Sequence, residues 1–233
     1  MWNKAGTLAA AALLLIALGG CRAEPSEPQV PQAKRDVAPI VGDTFSTEDA
    51  RDRLGEAEQV MELAGVAPGM SVADVGAGRG YYTVRLARVV GPKGRVLAED
   101  ILPSVRDFLS DRVQRERLDN VAVKLGTPDN PMLPPQSFDR IFLVHMYHEV
   151  ASPYAFLWHL REGLRPDGLI VVVDADRPVR RHGMPPQQLK CELAALNLAP
   201  VKFNMLTGGE TYLMAFRLAG PRPQPEKIKP CKS

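Results

Sequence analysis

The segment that decides the fold is Val72-Ala73-Asp74-Val75-Gly76-Ala77-Gly78-Arg79-Gly80. Its first four residues form a short apolar strand with one acid, and three alternating glycines follow before a helix near Tyr82. Glycine permits positive φ and a close approach of ligand to backbone, and the first N–H groups of the helix border the turn. This order predicts a ligand site at the carboxyl end of a strand.

Strands and helices alternate along the rest of the chain. Strands are predicted at 71–75, 95–101, 121–125, 139–145 and 169–174, and helices at 46–64, 82–90, 103–117, 153–164 and 186–196. This alternation is typical of βαβ units, in which helices cover both faces of a parallel sheet. Residues 201–206 and 212–218 predict a closing hairpin. The fold class is therefore α/β.

The glycine spacing separates two classes of nucleotide site. It is G-x-G-x-G rather than the G-x-G-x-x-G of dinucleotide enzymes, and Asp74 would repel a phosphate but suits an ammonium group. Asp100 lies at the end of the next strand, about 20 residues on, where an acid can bind ribose hydroxyls. Glu99 is the ribose-binding acid instead if the predicted register of this strand is wrong by one residue. A nicotinamide-binding protein is a weaker alternative, since the spacing and the hairpin speak against it.

Several motifs resemble one family. Asp74–Gly80 is similar to motif I of class I S-adenosylmethionine-dependent methyltransferases. Ser137-Phe138-Asp139 and Leu164-Arg165-Pro166-Asp167-Gly168 resemble the turns before its fourth and fifth strands, and Tyr147-His148-Glu149 resembles a group of small predicted methyltransferases. The resemblance covers most of the folded domain. It implies a Rossmann-like, doubly wound, mostly parallel seven-stranded sheet with an antiparallel C-terminal hairpin.

The same resemblance implies S-adenosylmethionine as the cofactor. The residues it assigns to the cofactor are Asp74, Gly76, Ala77, Gly78, Gly80, Glu99, Asp100, Asp129 and Asn130. The last two follow the third strand, where the family often places an acid near the adenine. Asp129, Asn130 or the backbone of this turn could supply that contact.

The residues that could act on a methyl acceptor follow the fourth strand. Methyl transfer from a sulfonium needs a base only where the acceptor must lose a proton. The candidate catalytic residues are His145, Tyr147, His148 and Glu149. Either histidine could be a general base or a structural side chain. His145 and His148 do not have the spacing of a zincin, so no metal site is predicted.

Charge and missing motifs bear on the acceptor. The formal net charge is only +2, with no long basic stripe, which gives no support to nucleic-acid binding. The Asn-Pro-Pro-Tyr signature of enzymes that methylate amino groups is absent from the sequence. We therefore expect a small-molecule or lipid acceptor. The arginines at 177–181 could bind an anionic acceptor or form a solvated loop.

The termini predict an anchored protein. Residues 1–20 have the features of a lipoprotein signal that ends before Cys21, the residue to be lipidated. The expected location is a periplasm-facing bacterial membrane, with the outer membrane slightly favoured by Arg22. Residues 21–43 are expected to be a mobile Pro-rich tether, 44–219 the methyltransferase domain, and 220–233 a disordered tail.

This location conflicts with the cofactor, which is made in the cytoplasm, unless the cofactor reaches the periplasm or the true start codon lies downstream of the signal. The alternative function is a non-catalytic periplasmic binding module on a methyltransferase fold. An oxidising compartment would permit a disulfide between Cys191 and Cys231, although free buried cysteines are the simpler interpretation.

Overall fold

The computed structural model describes Trp2, residues 29–41 and residues 47–231. The predicted signal and Cys21 lie outside these residues. Seven strands form one sheet: β1 Ser71–Val75, β2 Arg95–Asp100, β3 Val121–Leu125, β4 Phe138–Val144, β5 Leu164–Ala175, β6 Leu198–Met205 and β7 Thr211–Leu218. Six α-helices accompany them: α1 Glu48–Arg53, α2 Glu56–Leu63, α3 Tyr81–Val90, α4 Pro103–Arg115, α5 Pro153–Leu160 and α6 Pro186–Ala194.

The sheet has the order β3-β2-β1-β4-β5-β7-β6. The first five strands in this order are parallel, and β7 runs antiparallel to both β5 and β6. The predicted α/β fold with a closing hairpin is confirmed. Because β1 lies beside β4 and β4 beside β5, the carboxyl ends of these three strands share one edge, where ligands bind in open parallel sheets.

Each face of the sheet carries its own hydrophobic core. Val72, Phe142 and Val171 pack with α2 and α3 on one face. Ala73 and Ile141 point to the other face and pack with α5 and α6. Since successive strand residues alternate between faces, strands buried on both sides must be apolar throughout. This requirement explains the unbroken aliphatic run that the sequence shows in β5.

The predicted helix over residues 46–64 is two helices. Thr47 caps α1 by accepting a hydrogen bond from Ala50 N, as the sequence indicates. Gly55 then adopts a left-handed conformation with φ of 61° and separates α1 from α2. Because a β-carbon disfavours this conformation, glycine at this position permits the break.

The N-terminal segment differs from the expected mobile tether. Residues 29–41 lie extended against the domain, and Ala38 N donates to His148 O over 3.1 Å. Arg35 Nε donates to Glu192 Oε1 over 2.9 Å, and this pair is almost completely buried. The composition of the segment indicates poor packing, but a buried long-range ion pair and several hydrogen bonds to the turn after β4 fix its position.

The C-terminal segment also differs from expectation. Cys191 of α6 and Cys231 form a disulfide, so the less favoured alternative for these cysteines is correct. Ile228 is buried, and Trp158 Nε1 donates to Pro223 O over 3.0 Å. Residues 220–231 are therefore packed on the domain rather than disordered. None of the described helices has the length and apolar character needed to cross a bilayer.

Candidate active site

The glycine turn after β1 has the backbone that only glycine adopts easily. Gly76, Gly78 and Gly80 have φ values of 68°, 54° and 88°. A β-carbon on Gly76 would lie 2.9 Å from Met146 Cγ, and one on Gly80 would collide with Leu109. Two of the three glycines are thus required by space as well as by conformation.

Two carboxylates are fixed around this turn. Asp74 is buried, and the Thr83 hydroxyl donates to its Oδ2 over 2.6 Å. Burial raises the pKa of Asp74 to about 6, although the hydrogen bond from Thr83 opposes this rise. Asp100 Oδ2 accepts a hydrogen bond from Gly78 N over 3.0 Å, so the acid at the end of β2 holds the turn directly.

Glu99 lies next to Asp100 and has an unusual environment. Its Oε1 is buried and has no hydrogen-bond partner among the described residues. A β-carbon on Gly126 would collide with this atom, so the backbone after β3 closes over the carboxyl group. Burial, and then the charge of Asp100, raise the pKa of Glu99 to about 8. An unsatisfied buried acceptor beside the glycine turn indicates a missing donor.

These features fit S-adenosylmethionine. Its ribose hydroxyls can donate to Asp100 and to the unsatisfied Glu99, and its cationic groups suit a pocket of several carboxyl groups. Sequence reasoning treated Glu99 as a substitute for Asp100, but the structure brings both to the turn. Ala77, the remaining predicted residue of this turn, donates through its N–H to Glu99 O over 2.9 Å.

The predicted adenine contacts stabilise their own turn. The Thr127 hydroxyl donates to Asp129 Oδ1 over 3.0 Å, and Asn130 Oδ1 accepts from Met132 N over 2.7 Å. The turn directly follows Gly126 and hence lies beside Glu99. Its location agrees with a place near the cofactor, but both predicted side chains already have partners.

The candidate catalytic residues after β4 separate into different environments. His145 Nε2 lies 3.2 Å from Glu56 Oε2, so α2 holds this imidazole. Burial acts to raise the pKa of Glu56, but His145 and Arg51 lower it to about 2. Tyr147 is completely buried, and its hydroxyl donates to Glu192 Oε2 over 2.8 Å. His145 and Tyr147 therefore have structural partners.

His148 has the environment of a functional group. Its Nδ1 lies 3.0 and 2.9 Å from the two carboxylate oxygens of Asp174, which is the last acid of β5. Asp174 is completely buried and also accepts from Ala175 N over 2.8 Å. With Nδ1 held in this way, Nε2 is the ring nitrogen left for a ligand.

Two further side chains lie at the same edge. Glu149 Oε1 accepts a hydrogen bond from Val41 N over 3.2 Å, and burial raises the pKa of this carboxyl group. The rings of His182 and His148 are perpendicular, with centroids 5.6 Å apart. Sequence reasoning missed Asp174 and His182 as site residues. The position of Asp174 at the carboxyl end of the aliphatic run was the available signal.

The fold and the glycine turn together define a class I S-adenosylmethionine-dependent methyltransferase fold. The sequence profile of the protein-L-isoaspartate(D-aspartate) O-methyltransferase (PCMT) family matches residues 54–184, more than half of the chain. The chain belongs to this family. The predicted cofactor, S-adenosylmethionine, is thereby confirmed. The resemblance to the group of small methyltransferases that carry a Tyr-His-Glu motif stays a prediction.

Individual relatives are methyltransferases of more than one kind. The chain is 30% identical over 153 residues to the protein-L-isoaspartate O-methyltransferase of Methanopyrus kandleri, covering 57% of this chain and 64% of that protein. It is 30% identical over 119 residues to the ubiquinone/menaquinone biosynthesis C-methyltransferase UbiE of Teredinibacter turnerae, covering 51% and 48%. The chain spans about half the length of the curated relatives it matches.

A solved structure shares the fold. The methyltransferase from Aquifex aeolicus superposes with a TM-score of 0.68 at 24% identity, and the match covers 72% of this chain and 93% of that one. At this identity the likeness concerns the fold alone.

Proposed function

We propose that the chain transfers the methyl group of S-adenosylmethionine to a small-molecule or lipid acceptor that binds over the turn Tyr147–Glu149. The observation that carries the proposal is the buried His148–Asp174 pair. It lies at the carboxyl ends of β4 and β5, and β1 with its glycine turn is the next strand. A group that acts on the acceptor and a turn that holds the cofactor therefore share one edge of the sheet.

Bound S-adenosylmethionine supplies an electrophilic methyl group on a positively charged sulfur. The glycine turn and the carboxyl groups of Asp74, Glu99 and Asp100 hold and orient it, which is most of what this displacement requires. When bound, the cofactor would supply this methyl group directly to the acceptor atom and would leave as S-adenosylhomocysteine. Where the acceptor must lose a proton, His148 Nε2 would accept it, or a group bound by Nε2 would promote its loss to solvent. Asp174 fixes the ring for this task.

The acceptor class is tested by a screen. Relatives of this chain are named for protein L-isoaspartate and for ubiquinone or menaquinone precursors. The screen should therefore contain an isoaspartyl peptide, a quinol and phenolic small molecules. We expect turnover with the small molecules or the quinol. Turnover with the isoaspartyl peptide alone would show that the acceptor is a protein rather than a small molecule or lipid.

The proposal includes an anchor. Residues 18–21 read Leu-Gly-Gly-Cys, and we propose that Cys21 is acylated and holds the domain at the periplasmic side of a bacterial membrane. Labelling cells with a palmitate analogue should mark the wild-type chain but not Cys21→Ser. An unlabelled wild-type chain would remove the anchor from the proposal without affecting the cofactor site.

The cofactor site is tested by calorimetry on the full chain. S-adenosylmethionine and S-adenosylhomocysteine should bind the wild type, and Asp100→Asn should weaken both by roughly 10- to 100-fold, because it removes charge-assisted hydrogen bonds. Asp111→Asn is the matched control, since Asp111 is an exposed acid on α4. It should bind like the wild type.

The result that would overturn the proposal is a folded wild-type chain that binds neither ligand. Binding of both ligands without turnover of any acceptor in the screen would instead favour the non-catalytic binding module. His148→Ala separates the two functions further. In a catalytic protein it should lower kcat by at least 100-fold and leave cofactor affinity within about twofold.

A further inference from the structure

Three metal-binding side chains meet beside the proposed acceptor site. His148 and Glu149 come from the turn after β4, and His182 comes from the loop after β5. One ligand atom of each lies within 4.8 Å of the other two. The sequence does not predict this group, since Glu149 and His182 are 33 positions apart in the chain. Sequence reasoning considered His145 with His148 instead, but Glu56 holds His145 apart from this group.

Asp174 orients His148 as a metal ligand requires. A histidine that binds a metal through one nitrogen usually donates the other N–H to a carboxylate, which fixes the ring and raises its basicity. His148 Nδ1 has this partner in Asp174, at 2.9 Å. Asp174 is itself fixed by the hydrogen bond from Ala175 N. The ligand and its supporting carboxylate are therefore present before any ion binds.

The loop after β5 holds His182 in a defined position. His182 has φ of 54° and ψ of 59°, a left-handed conformation that costs free energy in a residue with a side chain. The loop maintains it: His182 N donates to Val179 O over 2.9 Å, and Arg177 Nε donates to His182 O over 3.1 Å. Strained backbone held by several bonds is frequent where a side chain must be presented precisely.

We propose that His148, Glu149 and His182 bind a zinc ion that keeps one coordination position for the methyl acceptor. Two imidazoles and one carboxylate are a ligand set of catalytic zinc sites, in which a water or substrate occupies the fourth position. Tetrahedral zinc bonds of about 2.0–2.1 Å place ligand atoms about 3.4 Å apart, so the three side chains, whose ligand atoms now lie within 4.8 Å of one another, must close around the ion. Glu149 and His182 are both partly exposed, unlike the buried His148.

The zinc site indicates a class of methyl acceptor, and this inference rests on the proposed function. A zinc ion polarises a bound oxygen and lowers the pKa of a bound hydroxyl group. An alcohol, phenol or enol acceptor would thus lose its proton to solvent on binding and meet the methyl group as an anion. His148 then acts through the ion that Nε2 holds.

Zinc binding is measured directly on the full chain. The protein is stripped with a chelator, dialysed and titrated with Zn²⁺ by calorimetry, and Co²⁺ is added separately as a spectroscopic probe. We expect one Zn²⁺ per chain and visible absorption from bound Co²⁺. His182→Ala and Glu149→Gln should each weaken Zn²⁺ at least 10-fold, and Asp174→Asn by about 10- to 100-fold. His159→Ala is the matched control on α5 and should bind like the wild type.

Two outcomes would overturn the zinc site. One is no Zn²⁺ binding by wild-type protein whose circular dichroism is normal. The other is an equal affinity in the wild type and His182→Ala. A parallel titration with S-adenosylhomocysteine keeps the two proposals distinct, because the carboxyl groups of the cofactor site are separate residues. A wild-type chain that binds S-adenosylhomocysteine but not Zn²⁺ refutes only the zinc site. A wild-type chain that binds Zn²⁺ but not S-adenosylhomocysteine refutes only the methyltransferase.

Discussion

At the scale of single residues, Glu99 is a side chain whose charge depends strongly on its surroundings. Burial and the neighbouring Asp100 raise its pKa to about 8, so a proton occupies the carboxyl group at neutral pH. The unfolded chain has no such environment and ionises Glu99 near 4.5. Between these two values the folded protein holds one proton more than the unfolded protein does at this residue.

This difference predicts a pH dependence of stability. Because the folded state binds the extra proton, the contribution of Glu99 to the free energy of unfolding falls as the pH rises from about 4.5 to about 8. Glu99→Gln cannot ionise and lacks this contribution. Chemical unfolding at pH 5, 6, 7 and 8 should show the variant gaining stability relative to the wild type at each step. Parallel curves for the two proteins would show that Glu99 ionises normally.

Single residues also show what the sequence can and cannot predict. Asp74 and the glycines were recognisable because their function depends on neighbours within the same turn. The pairing of His148 with Asp174 was not, since the partners are 26 residues apart and only the sheet brings them together. Local patterns report the period of an element, whereas side-chain pairs across strands depend on register.

At the scale of elements, the glycine that precedes α3 lies directly against a side chain of α4. Gly80 precedes α3 with φ of 88°, and a β-carbon there would collide with Leu109 of α4. Gly78 also has a positive φ of 54°, but no other atom lies within 4 Å of its position for a β-carbon. The two glycines share a left-handed backbone and differ in the space available for a β-carbon.

The two alanine substitutions should therefore differ. Gly78→Ala has only the strain of a left-handed residue, about 1–2 kcal/mol. Gly80→Ala adds overpacking against Leu109, typically a further 1–3 kcal/mol. Urea unfolding of both variants measures the difference. Equal losses of stability would mean that α4 moves aside without cost.

Element boundaries followed the sequence where one local rule decided them. Thr47 predicted the start of α1, and the aliphatic run predicted the existence of the buried strand β5. The strand itself begins at Leu164 rather than at the predicted Leu169, because Leu164 already pairs with Phe138 of β4. The division of the first helix at Gly55 was not predicted, because the apolar residues on either side keep a helical spacing. A left-handed glycine interrupts a helix without disturbing the spacing of the apolar residues around it.

At the scale of the whole molecule, both terminal segments pack on the domain although their composition predicts disorder. Arg35 is central to the N-terminal one: it pairs with Glu192, and its Nη2 donates to Val150 O over 3.0 Å. These contacts place residues 29–41 across the turn that carries His148. The composition of a segment indicates only its average tendency to pack. It does not reveal that one charged side chain is buried against a distant partner.

Arg35→Ala should leave Glu192 buried without its cation. Removal of one partner from a buried pair costs about 3–5 kcal/mol, and the loss should be visible in urea unfolding. Hydrogen exchange at Ala38 N should also become faster, because this amide bonds to His148 O only while the segment is docked. Lys34→Ala, an exposed neighbour, is the control and should change neither quantity. Unchanged exchange at Ala38 would show that Arg35 does not hold the segment.

The attachment of both termini to α6 has a mechanical consequence. Glu192 holds the N-terminal segment through Arg35, and the adjacent Cys191 holds the C-terminal segment through Cys231. Tension on either end of the chain thus reaches the same short helix first, on one side through an ion pair and on the other through a covalent bond. A pull along the chain would detach residues 29–41 at Arg35 before it strained the sheet, and the cofactor turn would keep its shape after the N-terminal segment had come away.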